Sequence, residues 1–313
     1  SAEELRDTPG FVNVTLPFIM KRFGLEDKDG NVCLSFGRKK KYYARRHQMI
    51  VPFNDGNEEI YRAIRDLDFR ELRDGANLDS FGLGIDYATV DQMNFNRIGL
   101  ADAVRSSEAA AIARIDNQLV KIDERRFLDP EKTRMQLLEL KRLVIEERSD
   151  IIYEYALKIL KSKNRKTIIN VWHRKTRMYL VQRLQKDLGK KIVEYSGTTV
   201  EKKNIREKFA PKANGVKVAK RNQIDILVAS GGASEGHDLQ DAEMILNYDL
   251  WWTPLMLQQR MGRLDRPTDK PREFSVLNLV NMNDYFNNLV TMDEKLRERA
   301  GELKGIIADG AYE

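Results

Sequence analysis

Arginines recur every third residue in QQRMGRLDRPTD (258–269): Arg260, Arg263 and Arg266 accompany a single glycine, Gly262. A guanidinium keeps its charge at any physiological pH and forks onto phosphate oxygens through paired N–H donors. A glycine among such side chains leaves room for a close neighbour. The chemistry on offer is holding a phosphate and stabilising charge that develops on it. The competing reading is a surface salt-bridge ladder with Asp265 and Asp269. A second stretch, GGASEGHDLQDA (231–242), has three glycines and several small residues, and Asp238 offers a carboxylate at its far side. Such a loop lets backbone approach a ligand closely, as phosphate and ribose sites require.

The elements around these loops explain why they are paired. KTIINVW (166–172), KIVEY (191–195), IDILVAS (224–230), MILNYDL (244–250) and EFSVLNLV (273–280) are short apolar runs that read as strands. RKTRMYLVQRLQKDLG (174–189) reads as a helix with Met178, Val181, Leu184 and Leu188 on one face and Gly189 as its stop. Thr198 and Glu201 form a capping-box pair opening a helix that ends near Phe209. A further helix is expected over roughly 254–262. Strand and helix alternate, and the strands are almost continuously apolar, so the expected fold is α/β: a parallel sheet with helices on both faces. Each candidate loop follows a strand, and ligands of open parallel sheets sit at the strands' carboxyl ends.

Upstream, NEEIYRAIRDL, SSEAAAIARIDNQLVKI and EKTRMQLLELKRLVIEERSDIIYEYALKILKS are long helical patterns, interrupted by loop signals at 74–94. The expected organisation is therefore an irregular, basic segment over 1–58, a helical domain or insertion over 59–165, and the α/β lobe over 166–313. RKKKYYARR (38–46) suits either phosphate contact with base stacking or a basic loop or edge strand.

Charge narrows the partner. The net charge is +6, but residues 161–223 hold 19 Lys and Arg against 4 Asp and Glu, an excess of +15 that leaves −9 for the rest. Concentrated positive charge is the footprint of a phosphate-backbone binder. A lone cysteine, Cys33, excludes an internal disulfide framework and cysteine-rich zinc sites. Three scattered histidines make no metal site. No stretch reaches the roughly 18–20 apolar residues of a membrane span, and the polar start SAEELRDTPG is not a signal peptide. A cytoplasmic protein with no membrane partner is expected.

The span 227–269 closely resembles motifs V and VI of the Swi/Snf-type ATPases within the superfamily-two helicases, with the bacterial polymerase-recycling relatives nearest. The motif VI pattern is matched at Gln259, Arg260, Gly262, Arg263 and Arg266, and motif V at Glu235, Gly236, Asp238, Leu239 and Gln240. YDLWWTP (248–254) stands where that family has a tyrosine-aspartate pair and a Trp-Asn-Pro, and RSSEAAAIARI (105–115) resembles a Ser-Ser-x-Ala-Ala helix of its bacterial members. LPFIMKRFG (16–24) and RRHQMIVPFNDGNEEIYRAI (45–64) resemble the bridge from a first lobe into the second. The resemblance implies a RecA-like second helicase lobe. In it, Arg263 and Arg266 are arginine fingers, Gly236 and Asp238 touch the nucleotide, with Asp238 on the ribose, and Gln259, Arg260 and Gly262 organise the motif. His173, Arg174 and Lys175 stand where motif IV follows its strand and are expected, by the resemblance, to contact nucleic acid. Ser196, Gly197 and Thr198 stand where the family contacts the DNA backbone, at a helix N-terminus that suits a phosphate; plain capping by Thr198 is compatible with this.

The chain departs from the family at Pro267, Thr268 and Asp269, where Ile-Gly-Gln is usual, and at Gly231. It contains no G-x-x-x-x-G-K-[ST] and no acidic D-E-x-H box, the elements that bind the β/γ-phosphates and magnesium. The expectation is therefore the second half of an ATP-dependent double-stranded DNA translocase. ATP is used with magnesium whose ligands lie in the first RecA-like lobe, and these 313 residues alone hydrolyse ATP negligibly. RNA polymerase or another nucleoprotein is the candidate remodelled complex. The alternative is a degenerate lobe that binds nucleic acid or protein without turnover. A dinucleotide-binding enzyme fits poorly, because GGASEG lacks the G-x-G-x-x-G spacing.

Overall fold

The computed structural model describes residues 25–28, 32–36, 39–42, 44–69, 87–124, 127–230, 238–249, 261, 264 and 268–290. A small antiparallel sheet, β1 (Leu25–Glu26), β2 (Val32–Phe36) and β3 (Lys39–Tyr42), precedes β4 (Arg45–Phe53). Five helices follow: α1 (Glu58–Arg65), α2 (Tyr87–Ser106), α3 (Glu108–Glu124), α4 (Pro130–Glu147) and α5 (Ile151–Ser162). Then come β5 (Thr167–Asn170), α6 (Arg174–Leu188), β6 (Ile192–Tyr195), α7 (Thr199–Phe209), β7 (Ile226–Ala229), β8 (Met244–Asn247), β9 (Glu273–Asn281) and α8 (Asp284–Val290). No described helix is long and apolar enough to cross a membrane.

The second sheet has six strands in the order β4-β9-β8-β5-β7-β6, and every pairing is parallel. Strand residues alternate between two cores. Ile169, Ile226, Val228, Met244, Leu246 and Leu277 pack with α5 and α6 on one face. Ile168, Leu227, Ile245 and Val276 pack on the other with Phe209 of α7 and with Leu239, Met261 and Leu264. Burial on both faces is why these strands read as continuous apolar runs. All five expected strands are present, and the expected α/β architecture of a parallel sheet between helical layers is the one observed.

Local signals act as read. Gly189 ends α6 at φ +59° and donates its N–H to Gln185 O at 3.1 Å. Thr198 and Glu201 form the reciprocal capping box of α7. The helix expected over 254–262 lies outside the described residues, apart from helical Met261.

Four expectations are corrected. Residues 45–53, read as part of an irregular segment, form edge strand β4, paired with β9 from Arg45↔Glu273 to Phe53↔Asn281. Its partner lies far away in sequence and Pro52 discourages a strand reading, although an edge position tolerates proline. The pattern at 131–162 is two helices, broken where Arg148 turns away. Its guanidinium reaches the Val104 carbonyl at 2.7 Å and Asp150 at 3.1 Å. The helical segment and the sheet also trade elements. Ile152, Tyr153, Ala156 and Leu160 of α5 belong to a sheet core, whereas Phe286, Leu289 and Val290 of α8 join the core of α1–α4. Finally, α6 buries Thr176, Arg177, Leu180 and Leu184, and Met178 is 41% exposed. The helix is rolled so that Thr176 meets the end of α2, and Arg177 meets Glu194 of β6 at 3.1 Å.

The two readings of α6 predict different stabilities. Leu184→Ala, at a site with no solvent exposure, should lower the unfolding free energy by about 2–5 kcal/mol. Met178→Ala should change it by less than about 0.5 kcal/mol. Urea denaturation of both variants checks this; equal losses would restore Met178 to the packed face.

Candidate functional site at the carboxyl edge of the sheet

Because all six strands are parallel, their carboxyl ends share one edge, where a ligand is expected. Gly236, Gln259, Arg260, Gly262, Arg263 and Arg266 lie outside the described residues. The described residues around them are firmly held. Leu239, Met261 and Leu264 are buried against the sheet. Asp238 is half-buried; its carbonyl accepts from Asn214 Nδ2 at 3.0 Å and its carboxylate from Gln240 Nε2 at 3.2 Å. The Asp241 carboxylate accepts the backbone amides of Lys212 and Ala213, both at 2.9 Å. The end of the glycine-rich loop is thus pinned to the turn after α7.

Asparagines cross the same edge in register. Asn170 donates to Asn247 at 3.0 Å and Asn247 donates to Asn278 at 2.7 Å, on β5, β8 and β9, all three buried. They share the face of Ile168, Ile245 and Val276, and therefore of Met261 and Leu264.

The densest polar arrangement lies between β5 and β8. Asp249, fully buried, accepts the Trp172 amide at 2.6 Å and the Ser106 hydroxyl at 3.0 Å. Thr176 Oγ1 lies 2.8 Å from Ser106 Oγ and 2.7 Å from Ser107 Oγ. Each hydroxyl has one proton to give, and Ser106 gives its own to Asp249. Thr176 therefore donates to Ser106, and Ser107 donates to Thr176. Ser107 Oγ in turn accepts the Ala110 amide at 3.1 Å, capping α3. The Ser-Ser pair thus has two jobs: one serine reaches the sheet and the other starts a helix.

A charged pair flanks this chain. His173 Nε2 lies 2.9 Å from Asp102 Oδ2, and Arg105 bonds the other oxygen of Asp102. Burial opposes the charged form of His173, but the hydrogen bond and charge of Asp102, helped by Asp249, outweigh it and raise the pKa. Burial likewise opposes ionisation of Asp102, and Arg105 and His173 overcome it to hold its pKa below the usual carboxylate range. Arg148 completes the corner by bonding the Val104 and Arg105 carbonyls that end α2.

The residues expected to contact nucleic acid are thereby divided. Arg174 and Lys175 are exposed at the start of α6, where they can meet phosphates. His173 is turned inward to Asp102, so its ring fixes the corner. At α7, Glu201 accepts the Thr198 amide at 2.7 Å and the Thr198 hydroxyl at 2.9 Å. Gly197 has φ +95°, and a Cβ there would fall 2.4 Å from Glu201 Oε2. The Ser196–Thr198 turn therefore meets a carboxylate of its own chain, which repels an approaching phosphate. No cluster of three or more metal-ligating side chains occurs among the described residues.

Sequence reasoning missed Asp102, Ser106, Thr176 and Asp249 as members of one site. Three lie within stretches named above, Ser106 in RSSEAAAIARI, Thr176 in RKTRMYLVQRLQKDLG and Asp249 in YDLWWTP, but nothing local says that these stretches meet.

Residues 148–268 match the family model described as the helicase conserved C-terminal domain, a span from α5 through β8 that includes both candidate loops. The uncharacterized ATP-dependent helicase YqhH of Bacillus subtilis is 31% identical over 123 residues, which is 39% of this chain and 20% of that protein. The chain thus spans about a fifth of that relative's length. Among solved structures, the helicase domain of Hef from Pyrococcus furiosus aligns with a TM-score of 0.49 at 16% identity, covering 80% of this chain and 57% of that one. The C-terminal part of the Fun30 ATPase domain aligns at 0.48 and 13% identity, covering 86% and 98%.

The corner has a pH signature. The folded pKa of His173 is raised, so its stabilisation is full below the unfolded value of about 6.5 and is lost as pH climbs through the folded value. The stability difference between wild type and His173→Gln should be larger at pH 6 than at pH 9, read by chemical denaturation. A difference that is flat or grows with pH would contradict the His173–Asp102 pairing.

Proposed function

We propose that these 313 residues act as the C-terminal lobe of a two-lobe, ATP-dependent translocase on double-stranded DNA. The observation that carries the reading is the arginine stretch of residues 258–269, placed after β8 within a span matching the helicase C-terminal domain. In this reading ATP sits between the carboxyl edge of the sheet and a first RecA-like lobe that supplies the β/γ-phosphate and magnesium ligands. Arg263 and Arg266 reach the γ-phosphate and stabilise charge developing in transfer. Gly236 and Asp238 lie along the nucleotide, and Gln259, Arg260 and Gly262 shape the loop. Arg174 and Lys175 touch the DNA backbone, with Ser196, Gly197 and Thr198 as a weaker second contact because of Glu201. Contacts to phosphate alone make binding sequence-blind and salt-sensitive. RNA polymerase or a similar nucleoprotein is the proposed remodelled partner, and the cytoplasm the proposed compartment.

In the complete two-lobe protein, Arg263→Ala should lower DNA-stimulated ATP turnover by about 10³–10⁵ while DNA binding is kept. Equal turnover in wild type and variant would overturn the arginine assignment. No turnover in either, with tight salt-dependent DNA binding, would favour a non-enzymatic binding lobe. On the 313-residue chain, Arg174→Ala and Lys175→Ala should each reduce the slope of log affinity against log salt by about 1, measured by fluorescence anisotropy. Unchanged slopes would remove α6 from the interface.

A further inference from the structure

Two features remain unexplained by this function: the basic segment RKKKYYARR and the replacement of the family's usual Ile-Gly-Gln by Pro267, Thr268 and Asp269. The structure brings them together. Tyr42, the last residue of β3, exchanges both backbone hydrogen bonds with Thr268, each at 2.8 Å, in an antiparallel bridge. The Thr268 hydroxyl lies 3.3 Å from the Tyr42 carbonyl and 2.8 Å from the Lys270 carbonyl. Lys41 Nζ lies 2.6 Å from Asp269 Oδ1. Three residues on, the Arg45 amide donates to the Arg272 carbonyl at 2.8 Å, and the parallel β4–β9 pairing begins. Arg46 Nη1 contacts Met261 Sδ at 3.6 Å, and Met261 is buried.

One continuous stretch, residues 41–46, therefore grips the chain on both sides of residues 262–267, which carry Arg263 and Arg266. It holds Met261 before them, and Thr268, Asp269 and Arg272 after them. Tyr42 pairs antiparallel with Thr268, while β4 pairs parallel with β9. One of the two segments, 42–45 or 268–273, therefore reverses direction before the parallel pairing begins; residues 269 and 270 form a bend, which the Thr268 hydroxyl bond to the Lys270 carbonyl spans. Lys41 is paired with Asp269, and the Tyr42 backbone with that of Thr268.

We infer that Lys41, Tyr42 and Arg46 are positioning residues that fix the arginine stretch by clamping its two ends. The inference rests on the proposed role of Arg263 and Arg266. An arginine that acts on the transition state must be held within about 1 Å, since a displacement of that size can cost roughly 10²-fold in rate. Holding the ends of a short stretch to a strand of the sheet supplies that restraint.

The test uses the complete two-lobe protein and follows ATP turnover with saturating duplex DNA. Thr268→Pro removes the amide that donates to Tyr42. It should lower kcat at least tenfold with KM for ATP within about twofold, because a displaced finger loses transition-state and not ground-state interaction. Lys41→Asp should lower kcat more modestly, and Lys41→Asp combined with Asp269→Lys should restore it. The charge pair is exposed, so this second set keeps the test open if Thr268→Pro fails to fold. Arg263→Ala run in parallel separates the two ideas. If Arg263→Ala abolishes turnover while folded Thr268→Pro and Lys41→Asp both match wild type, the clamp is wrong and the finger stands. If Arg263→Ala matches wild type, the premise fails and the clamp falls with it.

Discussion

The fully buried carboxylate of Asp249 is the interaction on which the architecture of the site depends. A carboxyl group out of water is costly unless hydrogen bonds compensate it. Here the compensation comes from three directions: the Trp172 amide after β5, the Ser106 hydroxyl at the end of α2, and the nearby imidazole of His173, whose pKa Asp249 helps to raise. None of these lies on Asp249's own strand. The requirement to satisfy one carboxylate therefore fixes the β5–α6 turn, the α2–α3 corner and the end of β8 relative to one another. Arg174 and Lys175 inherit their exposed position from that turn.

The same logic makes the helices upstream of the sheet part of the lobe. Asp55, buried at the end of β4, accepts from Asn281 Nδ2 at 2.9 Å, Asn283 Nδ2 at 3.0 Å and the Tyr61 hydroxyl. Burial raises the pKa of Tyr61, and Asp55 adds to it, so the tyrosine remains a donor. Two buried aspartates thus join the helices to the carboxyl edge, one near β5 and β8 and the other at β4 and β9. Apolar packing alone is tolerant of small slides between elements. Buried hydrogen-bonded carboxylates are not, because a shift of an ångström leaves a charge unpaired.

Specific sequence signals were read correctly where their partners are local. The apolar runs became β5 to β9, Gly189 ended α6, and Thr198 with Glu201 opened α7. The Ser-Ser stretch and the Tyr-Asp pair were noticed, yet their meeting was invisible. Ser106 and Asp249 are 143 residues apart, and no periodicity encodes that contact. The inward turn of His173 was missed for the same reason: a histidine beside Arg174 and Lys175 reads as a phosphate contact until Asp102, 71 residues away, is placed beside it.

The sequence by itself determined strands β5 to β9, the helices α6 and α7, that this sheet is parallel, and which loops bear glycines and arginines. These follow from side-chain period, capping residues and strand–helix alternation within a few turns of chain. Only the tertiary structure decided that β4 closes the sheet edge, that α5 packs on the sheet while α8 packs on the helices, and that Tyr42 bridges Thr268 across 226 residues. Those choices are set by competition among many possible long-range partners for the same buried faces and backbone groups. That competition is settled by the packing of the whole chain and leaves no mark on any short stretch of it.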